Sequence, residues 1–270
     1  MDVTSDPAER LAVAREAATA GGERALQDFR GDVAVETKSG PTDYVTEADR
    51  AAQRTVVETI RDSFPDDPIV GEEDETPNSV PESGPAWVID PIDGTANYVR
   101  GMHCWTTAVA AVEDGEPVAA VIAAPALGDL YAAGEDGATR NGDRISVASR
   151  SDPQEAAVCP TLWWSRDRRE EFGAVADAVV RSFGDCRRIG SAQYELALVA
   201  DGALDATIAN VFASPWDTIA GAHVVRQAGG RVTDVEGERW RHDARGIVAS
   251  SGEIHDEALE ATQAGDGARQ

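Results

Sequence analysis

The residues best suited to chemistry lie in Trp87-Val-Ile-Asp-Pro-Ile-Asp-Gly-Thr-Ala-Asn97. The apolar run reads as a buried strand that delivers Asp90 at its C-terminal end. Pro91 turns the chain, and Asp93 follows. Carboxylates at this spacing on a sharp turn converge on one point, where they repel unless a cation sits between them. Hard oxygen donors select Mg2+ or a similar ion. Gly94 and Thr95 open a short helix whose first N–H groups and positive dipole end seat a phosphate. Metal carboxylates beside an anion-binding helix start point to phosphoryl chemistry. The plainer alternative is that Asp90 ends a strand and Asp93 caps a helix.

Other acidic positions extend the set. Glu72, in Gly71-Glu-Glu-Asp74, follows a strand at Ile69. Asp217, in Ser214-Pro-Trp-Asp217, falls in the first turn of a helix, as does Asp49 in Thr46-Glu-Ala-Asp49. Each alone is explained as a cap, because acidic residues favour first helical turns; the combination argues for a shared site. His103, His223, His242 and His255 form no metal-ligand spacing and read as structural. Cys104 has no evident base partner, and with Cys159 and Cys186 it is too scattered for a disulfide framework or zinc cluster. Trp163-Trp164 reads as core or subunit interface. No Walker loop or Rossmann fingerprint is present.

The elements that must position these residues follow from periodicity and breakers. Helices are expected over Asp6–Phe29 and Thr46–Phe64, the second capped by Thr46 and ended by Pro65 and Pro68. Strands are expected at Ile69–Gly71, Trp87–Asp90, Thr106–Val112, Pro117–Ala123 and Leu130–Ala133, the last three an antiparallel meander turned by Asp114-Gly115 and Gly128-Asp129. Ser149–Pro153 is the internal boundary. Beyond it come a helix near Asp167–Ser182, a strand near Arg187, a helix Ala192–Val199 and a strand near Ala206. A helix Pro215–Gln227, two further strands and a terminal helix follow, with Ala264–Gln270 frayed. The expected class is α/β: one domain over 1–270, with an α+β half (1–150) and an α/β half (151–270) packed as layers.

Composition bounds the partners. The chain has 270 residues, with 24 Lys+Arg against 49 Asp+Glu and a formal charge of −25. That charge repels nucleic acid and anionic membranes. The start reads as no secretory signal, and the most apolar stretch, Pro117–Leu127, is short of the roughly 20 residues that span a bilayer, so a cytoplasmic protein is expected. Lys38 is the only lysine. An acidic, lysine-poor surface suits molar salt, where the Debye length is about 3 Å and self-repulsion is screened. The competing reading is a basic partner.

The chain resembles the inositol monophosphatase superfamily of Mg2+-dependent, lithium-sensitive phosphomonoesterases. The resemblance is carried by Asp90–Thr95, Gly71–Glu73, Trp216–Gly221 followed by Ala228–Gly230, Lys38 with Asp43–Asp49, Gly190–Ala192 and Gly137–Gly142, all in the family's order. It implies a layered αβαβα sandwich and a homodimer. It also implies that Glu72, Asp90, Asp93, Asp217 and the Ile92 carbonyl bind Mg2+, two or three ions per site, with Asp90 bridging. Asp49, Thr95, Glu72 and Lys38 form the implied catalytic set, Thr95 and Asp49 orienting and deprotonating the attacking water. Asp93, Gly94, Thr95, Arg188, Gly190, Ser191, Ala192 and Asn210 are the implied substrate contacts. Inositol-specific members carry Glu where this chain has Asn210, which puts dedicated inositol specificity in question. Arg187 and Arg188 are placed to meet a second phosphate; the alternative for them is a strand-edge ion pair. The archaeal-type branch acts on fructose 1,6-bisphosphate and inositol 1-phosphate, so a sugar or polyol phosphate is the expected small-molecule partner. The alternatives are an adenosine 3′,5′-bisphosphate phosphatase, a catalytically silent regulator that binds phosphorylated ligands, and an acidic cation-binding scaffold.

Overall fold

The computed structural model describes residues 6–31, 35–37, 44–73 and 76–267. Helical and sheet layers alternate, helices outermost. α1 (Pro7–Asp28) and α2 (Glu47–Ser63) pack together on the outer face of the first sheet. Asp6 and Thr46 cap them, each accepting from the N–H two residues on. Between these helices, β1 (Val35–Thr37) and β2 (Tyr44–Thr46) pair antiparallel, a ribbon too short to leave a sequence signature.

The first sheet has seven strands in the order β3 (Ile69–Gly71), β4 (Pro85–Asp93), β5 (Thr106–Glu113), β6 (Glu116–Ala124), β7 (Asp129–Gly134), β8 (Gly137–Arg140) and β9 (Asp143–Arg144). Only β3–β4 is parallel; β5, β6 and β7 form the expected meander, which β4 on one side and β8 and β9 on the other extend antiparallel. Asp114 and Gly115 both take positive φ (51° and 75°), the backbone that lets a two-residue turn follow strand twist. Side chains sort by period two. Trp87, Ile89, Val109, Ala111 and Val121 face α1 and α2, whereas Val88, Ala108, Ala110 and Ile122 face the interior of the sandwich.

α3 (Thr95–Val99) is a single short helix after β4. The second sheet, ordered β11-β10-β12-β14-β13, comprises β10 (Ala157–Pro160), β11 (Asp185–Cys186), β12 (Ala206–Ala209), β13 (Arg231–Thr233) and β14 (Ile247–Ser250). β10 runs parallel to β11 and β12, while β14 is antiparallel to β12 and β13. α5 (Ala192–Ala200) and α6 (Pro215–Gln227) lie between the sheets, and their core joins residues of both. α4 (Arg169–Ser182) and α7 (His255–Gly267) cover the far face. Gly221 permits the α5–α6 contact, since a Cβ there would stand 2.5 Å from the Leu196 side chain.

The structure corrects several boundaries. β4 continues through Pro91 to Asp93 rather than ending at Asp90, with a register shift between the two aspartates. Proline has no N–H to give the ladder, so the strand bulges there instead of stopping. The strand expected near Arg187 is β11, two residues long and ending just before it. α4 starts at Arg169, after a 3-10 turn at Arg166–Arg168. The terminal helix extends to Gly267, past Ala264 where fraying is expected to begin, with Asp266 accepting from Arg245 (2.6 and 2.8 Å) and from Asn210 (3.3 Å); residues 268–270 of that expectation lie outside the described residues. No helix among the described residues is long and apolar enough to cross a membrane.

Candidate active site

The β4 bulge is the foundation of the site. It lies between Asp90 and Asp93, which pair with Ala108 and Thr106 on its two sides, and Thr107 Oγ1 locks it by donating to the Pro91 carbonyl at 2.7 Å. Gly94 follows with φ 88°; a Cβ there would meet Ser191 Cβ at 3.0 Å and the Gly190 carbonyl at 3.1 Å. Glycine is thus required twice, for the left-handed backbone and for the approach of the two halves of the chain. A cavity of about 530 Å3 opens at this seam. Glu72, Asp93, Gly94, Thr95, Asp217, Arg188, Gly190 and Ala192 line it, as do Tyr44, Asn97, Arg100 and Trp163.

Asp49, Asp217 and Asp93 are aimed by hydrogen bonds that their carboxylates accept. Asp49 Oδ2 accepts from the Thr46 N–H (2.8 Å) and hydroxyl (2.6 Å) as the capping box of α2, which leaves Oδ1 toward Thr95 Oγ1 at 3.3 Å. The Thr95 hydroxyl also lies 3.0 Å from the Ile92 carbonyl. Asp217 Oδ2 accepts from Ser214 N at 3.0 Å in the capping box of α6. Asp93 caps α5 from another element: Gln193 N (2.8 Å), Ala192 N (3.2 Å) and the Ser191 hydroxyl all donate to it. Glu72 is carried on a loop tied to α2, where Gln53 bonds both the N–H (3.0 Å) and the carbonyl (3.1 Å) of Glu73.

Electrostatics mark the centre. Asp90 is buried, and its Oδ1 has no hydrogen-bond partner. Burial, then the charges of Glu72, Asp93, Asp217 and Asp49, hold its carboxyl well above the usual carboxylate range. Asp93 is pushed up to about 6, chiefly by burial, against the opposing bonds from Ser191 and Gln193. Among the described residues no three His, Cys, Asp or Glu side chains are already drawn together as ligands of one ion. The donor set nevertheless fits a hard divalent cation: the buried Asp90 carries an orphaned oxygen and is repelled by Glu72, Asp93, Asp217 and Asp49, and Glu72, Asp93 and Asp217 line the cavity.

Some expected contacts fall elsewhere. Asn210 is buried and does not line the cavity, accepting from Trp164 Nε1 at 2.6 Å and donating to Glu171 Oε2 at 3.1 Å, so it braces the end of β12 against α4. Ser191 is also buried, its hydroxyl spent on Asp93, so it positions a carboxylate instead of lining the cavity. Arg187 takes the ion-pair alternative, with Asp185, at the surface. Trp163 is 59% exposed on the cavity wall, and only Trp164 is core. A tryptophan doublet in an irregular loop does not reveal from sequence which member faces inward. Asn97 sits inside the site motif and bridges the halves, donating to the carbonyls of Cys104 (2.7 Å) and Ile189 (2.9 Å). Lys38 and Asp43 lie outside the described residues. Burial raises the Cys104 thiol, so it is no activated nucleophile.

Comparison with known proteins identifies the family. The model of the inositol monophosphatase family matches residues 6–266. The chain is 38% identical over 228 residues to the fructose-1,6-bisphosphatase/inositol-1-monophosphatase of Thermotoga maritima, covering 83% of this chain and 84% of the relative. It is also 38% identical over 247 residues to the histidinol-phosphatase of Mycobacterium tuberculosis, covering 87% and 90%. The solved structure of an IMPase from Thermotoga maritima superposes with a TM-score of 0.86 at 33% identity, over 96% of this chain and 98% of that one. The chain belongs to the inositol monophosphatase family and is a phosphoric monoester hydrolase.

Proposed function

We propose that the chain hydrolyses a sugar or polyol phosphate, fructose 1,6-bisphosphate and/or inositol 1-phosphate, with Mg2+ as cofactor. The observation that carries this reading is the convergence of Glu72, Asp90, Asp93 and Asp217 at the bulge beside the Gly94-Thr95 helix start. The 38% identical Thermotoga maritima relative, named for both substrates, supports the choice.

Glu72, Asp90, Asp93, Asp217 and the Ile92 carbonyl would hold Mg2+, which the family uses in general. When bound, Mg2+ supplies Lewis-acid stabilisation of the phosphoryl oxygens and lowers the proton affinity of water. The N–H groups of Gly94 and Thr95 orient the phosphate, and the positive end of the backbone there favours its charge. Thr95 Oγ1 donates to Asp49 Oδ1, so its lone pairs accept from the attacking water, and Asp49 takes up the proton. Lys38 belongs to the same catalytic set by motif. Gly190, Ala192 and Arg188 form the wall facing the alcohol portion. A homodimeric, cytoplasmic, salt-requiring enzyme acting on a small phosphate ester completes the reading.

The test is phosphate release in molar KCl with and without Mg2+. Fructose 1,6-bisphosphate, inositol 1-phosphate, histidinol phosphate and adenosine 3′,5′-bisphosphate are offered side by side, with Asp93→Asn as control. Release from either of the first two that needs Mg2+ and Asp93 is expected. Preference for histidinol phosphate or the nucleotide would overturn the substrate assignment. No release from any of them by folded protein would favour the silent regulator.

A further inference from the structure

The outer wall of the cavity is tied to a buried carboxylate that the chemistry above does not use. Glu195, on α5, is wholly buried. It accepts from the N–H groups of Ile189 (2.9 Å) and Gly190 (2.7 Å) and from the Thr161 hydroxyl. Arg188 places a guanidinium nitrogen 3.5 Å from Glu195 and donates another N–H to the Leu162 carbonyl. The same guanidinium lies 5.8 Å from the centre of the Trp163 ring, and Arg169 stands 5.5 Å from it. A buried carboxylate is costly unless paired and hydrogen-bonded; here the pairing runs outward, from Glu195 through Arg188 to an exposed indole at the cavity mouth.

We propose that Glu195 is a positioning residue and Trp163 a specificity-determining one. Glu195 fixes Arg188, Arg188 holds the Leu162-Trp163 segment, and the indole receives the non-reacting ring of a cyclic sugar or polyol phosphate through its C–H face. The inference rests on the phosphatase reading above. A neutral ring suits this wall better than a second phosphate, because the Arg188 charge is already committed to Glu195 and a carbonyl.

The experiment compares kcat/KM for inositol 1-phosphate, a ring, with that for glycerol 2-phosphate, an open chain, in high KCl and Mg2+. In Trp163→Ala and Glu195→Gln the ring-to-chain ratio is expected to fall about tenfold, the scale of one good aromatic contact. The double variant should fall no further than either single one, because both remove the same contact. Arg188→Lys should match them, since an ammonium neither lies flat on an indole nor reaches both oxygen partners. A Trp163→Ala enzyme with the wild-type ratio overturns the inference, and so does a Glu195→Gln enzyme that slows both substrates equally. If Glu195→Gln does not fold, the Trp163→Ala ratio decides, because that side chain is exposed. No release from either substrate by the wild type overturns the phosphatase reading and this inference together; release with an unchanged ratio overturns the inference alone.

Discussion

A carboxylate has two oxygens, and this site uses them separately. In the sequence, capping and chemistry are competing explanations for Asp49, Asp93 and Asp217. In the structure the cap is the means of aiming: Asp49 gives Oδ2 to Thr46 and turns Oδ1 to Thr95. Asp90 has no such anchor and stands buried with an orphaned oxygen. A carboxyl whose proton affinity is raised by folding opposes folding once the pH exceeds its unfolded value, so at neutral pH Asp90 destabilises the metal-free protein. Asp90→Asn is therefore expected to raise the Tm measured in chelator by a few degrees, on the order of 1 kcal/mol. It should also abolish the Mg2+-dependent rise in Tm and lower turnover at least about a thousandfold. A lower Tm in chelator would show that Asp90 is already compensated by the protein.

At the scale of elements, three helices deliver their N-termini to one seam. α2 and α6 bring Asp49 and Asp217 in their first turns, and α5 is capped by Asp93 from β4. Each contributes a positive dipole end to an acid-rich cavity, which offsets part of the repulsion before any cation arrives. Away from the site, His255 at the start of α7 pins the second sheet: its Nδ1 pairs with Ser250 Oγ at 2.7 Å and its Nε2 with Thr233 Oγ1 at 2.9 Å. Burial, helped by Arg231 and opposed by Asp256, pulls the imidazole down to about 4. The unfolded histidine takes a proton from about pH 6.5. The stability His255 provides is therefore complete above that pH and is lost as pH falls toward 4. His255→Gln should be less stable at pH 7 by about 1–2 kcal/mol yet lose less between pH 6.5 and 4, as read from Tm against pH. An unaltered slope would assign the acid sensitivity to other groups.

For the whole molecule, charge dominates. With 49 acidic against 24 basic residues, self-repulsion opposes compaction in dilute buffer and is screened at molar salt, where the Debye length is about 3 Å. A melt against KCl should show Tm rising steeply to molar salt, and activity should follow it. Full stability in dilute buffer would instead point to a basic partner. The core between the sheets joins Val88 and Ile122 of the first to Leu196, Ala209 and Ile247 of the second half. The same melts should therefore show one transition, with 1–270 unfolding as a single unit; two resolved transitions would separate the halves at Ser149–Pro153.

The α/β class and most element positions were legible in the sequence, and the αβαβα layering through the family resemblance. Strand alternation, helix caps and carboxylate spacing are local, encoded within a few residues of one another, whereas the bulge that carries β4 through Pro91 was not legible. Glu72, Asp90, Asp93, Thr95 and Asp217 are read from such windows. What distant segments share was not legible. Ser191 turns to Asp93 and Asn210 to Trp164, while Trp163 leaves the core for the cavity wall. Partner choice for a polar side chain depends on which residues the packed layers bring within about 3 Å, and only the tertiary structure decides that.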